Sequence, residues 1–502
     1  MTLMPDMSRN CPVHFIGIGG IGMSGIALTL LHRRYRVTGS DLRKSPITAR
    51  LEEAGARVWQ GHRASNLPEN AVVVYSSAVG EDNPEMAEAR ARKLPILKRA
   101  EVLAWLMRDK ISIAVAGTHG KTTTTSLVGI MLREAGYDPS VIVGGVVDAF
   151  GGNVLCGKGP HLVAEADESD GSLVHFHPCY SLITNIEEEH FGFYHDLGEI
   201  LATFAAFIQN TLRGGKLIYN LDDPNLCRLV QGVENEILSY SVQGAADIFA
   251  ENIAFREWGS RFDVYGRSGL LGEMELSIPG MHNVSNSLGA IAVAMETGIP
   301  FEAVREAVKS YRGVRRRFEV KGVVDDILVI DDYAHHPTEV MATLRSARQV
   351  ANGGRVVGVF QPHRYTRTKH LHERFSRAFA SVDRLILTDV YGANEPVIEG
   401  IDGTTVLRSV LESGQENVEY VADVRGIADV LLETVRAGDM VIVMGAGDVT
   451  AVGEQLVQKL TQRRDQNAFR LGASALGCTR DETQRRKDAA EGEFARVTYD
   501  AQ

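Results

Sequence analysis

Short apolar runs recur along the chain, each closed by a glycine-rich or polar turn and followed by a stretch with helical spacing. Residues 13–18, 36–39, 71–75, 111–116, 161–166, 181–186, 326–331, 355–360, 384–387 and 440–444 read as strands of parallel sheets, which are covered on both faces and so need not alternate. Helical patterns follow at 23–31, 122–136, 283–297 and 338–350. Only 249–278 alternates apolar with polar, with turns at Trp258-Gly259-Ser260 and Gly266-Arg267-Ser268-Gly269, as antiparallel strands do. The pattern predicts an α/β protein of three domains. These are a Rossmann-like domain over 1–109, a central P-loop ATPase-like domain over 110–318 with a small added antiparallel sheet, and a Rossmann-like domain over 319–461. Charged residues with few apolar anchors then predict a loose tail over 462–502.

Length supports that division, since 502 residues exceed what one core serves. A net charge of −11 argues against broad binding to nucleic acid or an anionic membrane, so any polyanion must be met by a few placed cations. Cys11, Cys156, Cys179, Cys227 and Cys478 are scattered, with neither disulfide nor zinc spacing. The first ten residues lack an apolar signal core and no later run is long enough to span a membrane, which together predict a cytoplasmic protein.

The chemistry centres on residues 111–125, where an apolar strand runs through Gly117-Thr118-His119-Gly120-Lys121-Thr122 into a helix. Glycines let the backbone N–H groups turn inward, the helix N-terminus adds positive potential, Lys121 brings a mobile cation and the Thr122 hydroxyl can ligate Mg²⁺. Val115 stands where the general pattern has its first glycine, so this is a shortened phosphate loop, and it predicts ATP with Mg²⁺ or Mn²⁺. The run at 161–166 opens Glu165-Ala166-Asp167-Glu168-Ser169-Asp170; Glu165 interrupts apolar residues and suits Mg²⁺, whereas Glu168 and Asp170 read as an acidic solvent loop. His190, beyond the strand at 181–186, is expected to bind metal or phosphate.

An earlier glycine loop, Gly17-Ile18-Gly19-Gly20-Ile21-Gly22, has Asp41 after the next strand and suits a pyrophosphate at a helix N-terminus. NAD(P) and a nucleotide-sugar diphosphate fit it equally. Ser76 and Ser77 stand at a strand end, where they either bind a ligand or cap a loop. Asn283 and Asn286 cap a helix or meet a base, and within Arg315-Arg316-Arg317 an arginine at the domain junction could reach a γ-phosphate. Asp331 to Pro337 and Gln361 to Arg367 load two strand ends with Asp, Tyr, His and Arg, a ligand edge for something small and anionic. Gly445-Ala446-Gly447-Asp448 reads as a structural turn. Three sites on three domains imply closure during catalysis.

Taken in order, Gly17 to Ser24, Gly117 to Thr123, Glu165 to Asp170, Asp331 to Pro337 and Gln361 to Arg367 resemble the Mur ligases over residues 10–460. The resemblance implies ligation of L-alanine to UDP-N-acetylmuramate through an acyl phosphate, driven by ATP, in peptidoglycan precursor synthesis. It implies UDP-sugar binding by Gly19, Gly20, Ile21, Gly22, Ser24, Asp41, Ser76 and Ser77. ATP would be held by Gly117, Thr118, His119, Gly120, Lys121, Thr122, Thr123, Asn283, Asn286, Asp332 and Tyr333. One metal ion would fall to Thr122 and Glu165 and a second, near the substrate carboxylate, to His190, the amino acid to His335, His363, Arg364 and Arg367, and the catalytic roles to Lys121, His190, Arg317 and His335. Glu189 and Gly192 stand where the family pattern favours Asp. A murein-tripeptide recycling ligase shares the Asp-Tyr-Ala-His-His-Pro stretch but differs in its first glycine loop. Folate polyglutamylation would leave the first domain without a purpose. An NAD(P)-dependent oxidoreductase would leave Lys121 unexplained, and a nucleotide-gated interaction protein would not need the Arg- and His-rich strand ends.

Overall fold

The computed structural model describes residues 11–256 and 258–475. Its first sheet consists of β1 (Val13–Ile16), β2 (Val37–Asp41), β3 (Arg57–Gln60), β4 (Val72–Tyr75) and β5 (Ile96–Lys98), in the order β3-β2-β1-β4-β5 with every pair parallel. Val13, Phe15, Val72 and Val74 are buried beneath Ile26 and Leu30 of the helix Ile21–His32. Strand order reverses between β1 and β4, which opens a ligand crevice at their carboxyl ends.

The central sheet comprises β6 (Ile111–Ala116), β7 (Ser140–Val147), β8 (Gly152–Leu155), β9 (His161–Glu165), β10 (Tyr180–Ile183), β11 (Lys216–Asn220), β12 (Glu236–Ser241), β13 (Ile248–Arg256), β14 (Gly259–Gly266) and β15 (Gly269–Leu276). Their order is β15-β14-β13-β12-β11-β10-β6-β9-β7-β8. The alternating strands are the expected antiparallel addition, and they join the edge of the central sheet directly. β13 pairs with β12 in parallel through Tyr240–Ile248 and Ser241–Phe249, and the hairpins simply continue the ladder. Ile248, Ala250, Phe262, Val264, Met274 and Leu276 enter the same core as Ile113 and Val115, while Glu251, Arg261 and Glu275 stay exposed; that one-sided burial produces the alternation.

The third sheet contains β16 (Glu319–Val324), β17 (Ile327–Asp332), β18 (Val356–Phe360), β19 (Arg384–Leu387), β20 (Val418–Tyr420) and β21 (Met440–Met444), in the order β16-β17-β21-β18-β19-β20 with only β16 antiparallel. Gly445 to Asp448 turns the chain from β21 toward the helix Thr450–Ala475. That helix carries well beyond Gln462, so the expected loose tail is corrected as far as Ala475. Leu456 and Leu460 anchor its first half in the core, Arg463 donates to the Leu432 carbonyl at 2.7 Å, and the Gln- and Arg-rich continuation has strong helix propensity. The remainder of the expected tail lies outside the described residues.

Polar contacts draw the domains together. Arg50 donates to the Gly151 carbonyl at 2.8 Å and Arg99 pairs with Asp167 at 3.1 Å between the first and central domains. Between the central and third domains, Thr338 donates to Glu187 at 2.8 Å and Gln349 to the Arg256 carbonyl at 2.8 Å. Cys11, Cys156, Cys179 and Cys227 are free thiols, and Cys478 lies outside the described residues. No helix among the described residues is long and apolar enough to cross a membrane.

Candidate active site

The phosphate loop leaves β6 at Gly117 and enters the helix Lys121–Glu134, with φ values of 130° at Gly117 and 83° at Gly120. A Cβ at Gly117 would lie 2.1 Å from Thr184 Oγ1, and one at Gly120 would lie 2.3 Å from Asn286 Oδ1, so dihedral and space both demand glycine. Asn185 fastens the loop: its Oδ1 accepts from the His119 N–H at 2.8 Å and its Nδ2 donates to the His119 carbonyl at 3.1 Å. Lys121 Nζ donates to the carbonyls of Gly117 and Thr118 and lies 2.9 Å from Glu168. Burial disfavours its charge, yet Glu168, Asp167 and Glu165 together hold the ammonium above its ordinary pKa.

Carboxylates gather around that lysine. The Thr122 hydroxyl lies 3.0 and 3.1 Å from the two oxygens of Glu165, whose carboxyl is pushed up by burial although Lys121 and the Gly144 N–H oppose the shift. Glu168 is no solvent-loop residue. It is 1 % exposed and meets Lys121 and, at 3.2 Å, His190 Nε2, which corrects the expectation for its side chain; Asp170 is half-buried and its Oδ1 accepts from the Ser172 N–H. Ligand atoms of Asp167, Glu168 and His190 lie within 4.8 Å of one another, as do those of His119, Glu187 and His336. Hard oxygen donors with one imidazole suit a divalent cation at the first group.

Two cavities flank the loop. One, of about 580 Å³, is lined by Ile21, Gly22, Arg99, the phosphate loop, Glu165, Asp167, His190, Arg317, Tyr333, His335, His363, Arg364 and Arg367, and so takes residues from all three domains. The other, of about 540 Å³, is lined by His119, Gly120, Thr122, Thr123, Asn185, Asn283, Asn286, Arg317, Asp332 and Glu339. Arg317 faces both. Asp332 accepts from the N–H groups of Phe318 and Ala334 at 2.7 and 2.8 Å, and burial pushes its pKa up to about 6. Tyr333 lies in the first cavity, its ring beneath the Arg316 and Arg317 guanidiniums at 4.8 and 5.3 Å.

At the third domain, His335 donates from Nδ1 to the Tyr333 carbonyl at 2.8 Å, and burial lowers its pKa to about 4; burial also holds His336 well down. Both imidazoles are neutral in the fold but take up protons in the unfolded chain below about pH 6.5. Acidification from there toward 4 therefore removes stability. His335 alone accounts for on the order of 3 kcal/mol, and thermal melts across that window should show a progressive fall; a flat profile would contradict the burial.

The Arg367 guanidinium, expected to bind the amino acid, is already occupied. Glu189 fills it, accepting from Nε at 3.0 Å and Nη2 at 2.7 Å, while Nη1 donates to the His363 carbonyl at 2.7 Å and to His363 Nδ1 at 3.0 Å. Both charged side chains are nearly buried, and Arg367 holds the Glu189 carboxyl well below its usual range despite burial. Arg364 remains half-exposed beside Glu395 at 3.0 Å.

In the first domain, Gly20 caps the helix Ile21–His32, and the Gly19 N–H donates to Asp41 Oδ2 at 2.8 Å, so Asp41 braces the glycine loop itself. Ser76 and Ser77 follow β4 at the same edge, half-buried and exposed. Ser24 does not reach the crevice. It is fully buried, donates to the Ile21 carbonyl at 3.0 Å and accepts from Asn153 at 3.1 Å, because the helix turns that side toward the central domain. The pattern of the chain did not single out Glu168, Glu339, Arg99 or Asn185. Glu168, Glu339 and Asn185 lie in or beside a recognised motif and Arg99 in none, and only the fold brings them to the cleft.

A glycine cradle with a lysine, a carboxylate cluster and a cleft shared by three α/β domains define a nucleotide-dependent enzyme of the phosphoryl-transfer type. Profiles of the Mur ligase family match in succession: the catalytic domain over residues 12–111, the middle domain over 115–294 and the glutamate ligase domain over 316–447. The chain is 46% identical over 459 residues to UDP-N-acetylmuramate--L-alanine ligase of Pelotomaculum thermopropionicum, covering 91% of this chain and 99% of that protein. It is 48% identical over 451 residues to the enzyme of the same name from Geotalea uraniireducens, covering 89% and 98%. Among solved structures, UDP-N-acetylmuramate-alanine ligase of Thermotoga maritima matches with a TM-score of 0.77 at 30% identity, over 90% of this chain and 99% of that one. A murein peptide ligase of Psychrobacter arcticus matches at 0.68 and 26%, over 90% and 98%. The chain belongs to the Mur ligase family and is a ligase.

Proposed function

We propose that this protein joins L-alanine to UDP-N-acetylmuramate in an ATP-dependent ligation that supplies peptidoglycan precursors. The reading rests above all on the shared cavity of about 580 Å³, where the phosphate loop, the carboxylate cluster and the His- and Arg-rich strand ends meet beside the first glycine loop. The sugar's carboxylate attacks the γ-phosphorus, ADP departs, and the alanine nitrogen displaces phosphate from the resulting acyl phosphate with loss of a proton.

Residue roles follow from position. Gly19, Gly20, Ile21 and Gly22 present backbone to a pyrophosphate at the helix N-terminus, with Ser76 and Ser77 at the neighbouring strand end. Gly117 to Thr123 cradle the triphosphate, Asn283, Asn286 and Asp332 line the nucleoside pocket, and Lys121 and Arg317 meet the charge that spreads over the transferring phosphoryl. Thr122 with Glu165, and separately His190 with Asp167 and Glu168, would offer the donors that Mg²⁺ or Mn²⁺ requires. When bound, that ion neutralises phosphate charge beside the reacting carboxylate. Arg364 and Arg367 favour an amino-acid carboxylate, and His335, kept neutral, puts no positive charge next to the amine.

Release of ADP with UDP-N-acetylmuramate and L-alanine, compared with glycine, L-serine or a murein tripeptide, tests the assignment. L-Alanine should give the highest kcat/KM. Preference for the tripeptide would replace this reading with the recycling reaction, and nucleotide turnover without any amine would remove it.

A further inference from the structure

On the opposite edge of the sheets from the catalytic cleft, a cavity of about 430 Å³ lies where the first domain meets the central one. Its walls carry Arg33 and Arg34 from the end of the helix Ile21–His32, Lys110 from the segment entering β6, and Lys158 from the turn between β8 and β9. His32 and the hydroxyl residues Thr29 and Ser140 complete most of the lining.

The cations are not neutralised locally. Among the described residues none of the four makes an ion pair with a carboxylate. Lys110 Nζ donates to the Gly159 carbonyl at 2.7 Å and Arg33 Nη2 to the Leu106 carbonyl at 3.3 Å, neutral partners that hold the side chains without cancelling their charge. Asp138 accepts from the backbone N–H of Lys158 at 2.9 Å, and Asp109 acts on Arg33 only at a distance. Burial, and then repulsion from Arg33, lowers the Lys110 pKa. Four cations lining one cavity in a chain of net charge −11 are the reverse of its general surface.

We propose that this rear cavity binds a phosphate-class oxyanion, either inorganic phosphate or a small phosphate ester, at a site separate from the catalytic cleft. Its volume admits such a ligand. Its lining offers no Phe, Tyr, Trp or aliphatic side chain to receive a nucleobase, so charge and hydrogen bonding are the only recognition available. Arg33 and Arg34 belong to the first domain, and Lys110 and Lys158 to the central one, at its first residue and in the turn between β8 and β9. A bound anion therefore ties the two together at the far end of the helix whose N-terminus forms the first glycine loop.

Calorimetric titration of the full chain with pyrophosphate, with ADP, Mg²⁺ and UDP-N-acetylmuramate saturating the cleft, tests the site. The unmodified protein should bind pyrophosphate. The exposed pair Arg34→Gln/Lys158→Gln, and separately Lys110→Gln, should weaken binding by about tenfold or more, whereas Lys121→Gln in the cleft should leave it intact. Absence of binding, unchanged binding in the exposed pair, or loss in Lys121→Gln would each overturn the proposal. Parallel titrations with inorganic phosphate and glucose 1-phosphate assign the source: tighter binding of one identifies free phosphate or an ester as the ligand.

Discussion

Lys121→Ala should lower kcat by about 10²–10³-fold, the scale seen when a charge-stabilising donor aimed at a transition state is removed. The ammonium lies where the curled loop opens onto the cleft, so a phosphoryl group entering the cradle meets it directly. The expected structural effect is smaller but real. Lys121 also holds the carbonyls of Gly117 and Thr118 and answers the charge of Glu168, which is 1 % exposed. Without it, Glu168 retains His190 as its cation partner, so the variant should fold with a melting temperature a few degrees lower. Steady-state ADP release and a thermal melt measure the two effects separately. Activity near that of the unmodified enzyme would show that the cradle is not where phosphoryl transfer occurs.

What could be read from the chain follows a simple physical division. Gly117 to Thr122 were legible because the chemistry of a phosphate loop is local: glycine dihedrals, the helix terminus and the lysine are set within a few residues. The apolar runs were legible for the same reason, and β6 begins and ends where its pattern does. Glu168 was not, since nothing beside it announces burial; it is buried because Lys121, His190 and the hydroxyl of Tyr194, which donates to its carbonyl at 2.7 Å, converge from other turns of the fold. Ser24 failed in the opposite sense. A serine in a glycine-rich loop suits a phosphate, but the helix phase carries it to the face packed on Asn153. Alternation in β13 to β15 was correctly read as antiparallel pairing, yet whether a hairpin stands alone or prolongs a sheet depends on the edge of β12, which no local pattern encodes.

Arg367 carries the second large effect, and its geometry separates two roles that a single substitution would confound. Arg367→Ala should lower kcat/KM for alanine by on the order of 10²–10³-fold, as expected when one partner of a buried, hydrogen-bonded charge pair is truncated. The KM for ATP should change little, because the cavity proposed for the nucleoside lies on the other side of Arg317 and is not lined by Arg367. Part of that loss is structural: Glu189, 5 % exposed, would be left without its partner, and a buried carboxylate so abandoned is strongly destabilising. The double variant Arg367→Ala/Glu189→Ala removes both charges and should recover much of the melting temperature. It should not recover the affinity for alanine if Arg367 also faces the substrate carboxylate through its remaining donor. Recovery of both would reduce Arg367 to a clasp between the central and third domains and shift amino-acid recognition to Arg364, which is half-exposed in the same cavity and braced by Glu395.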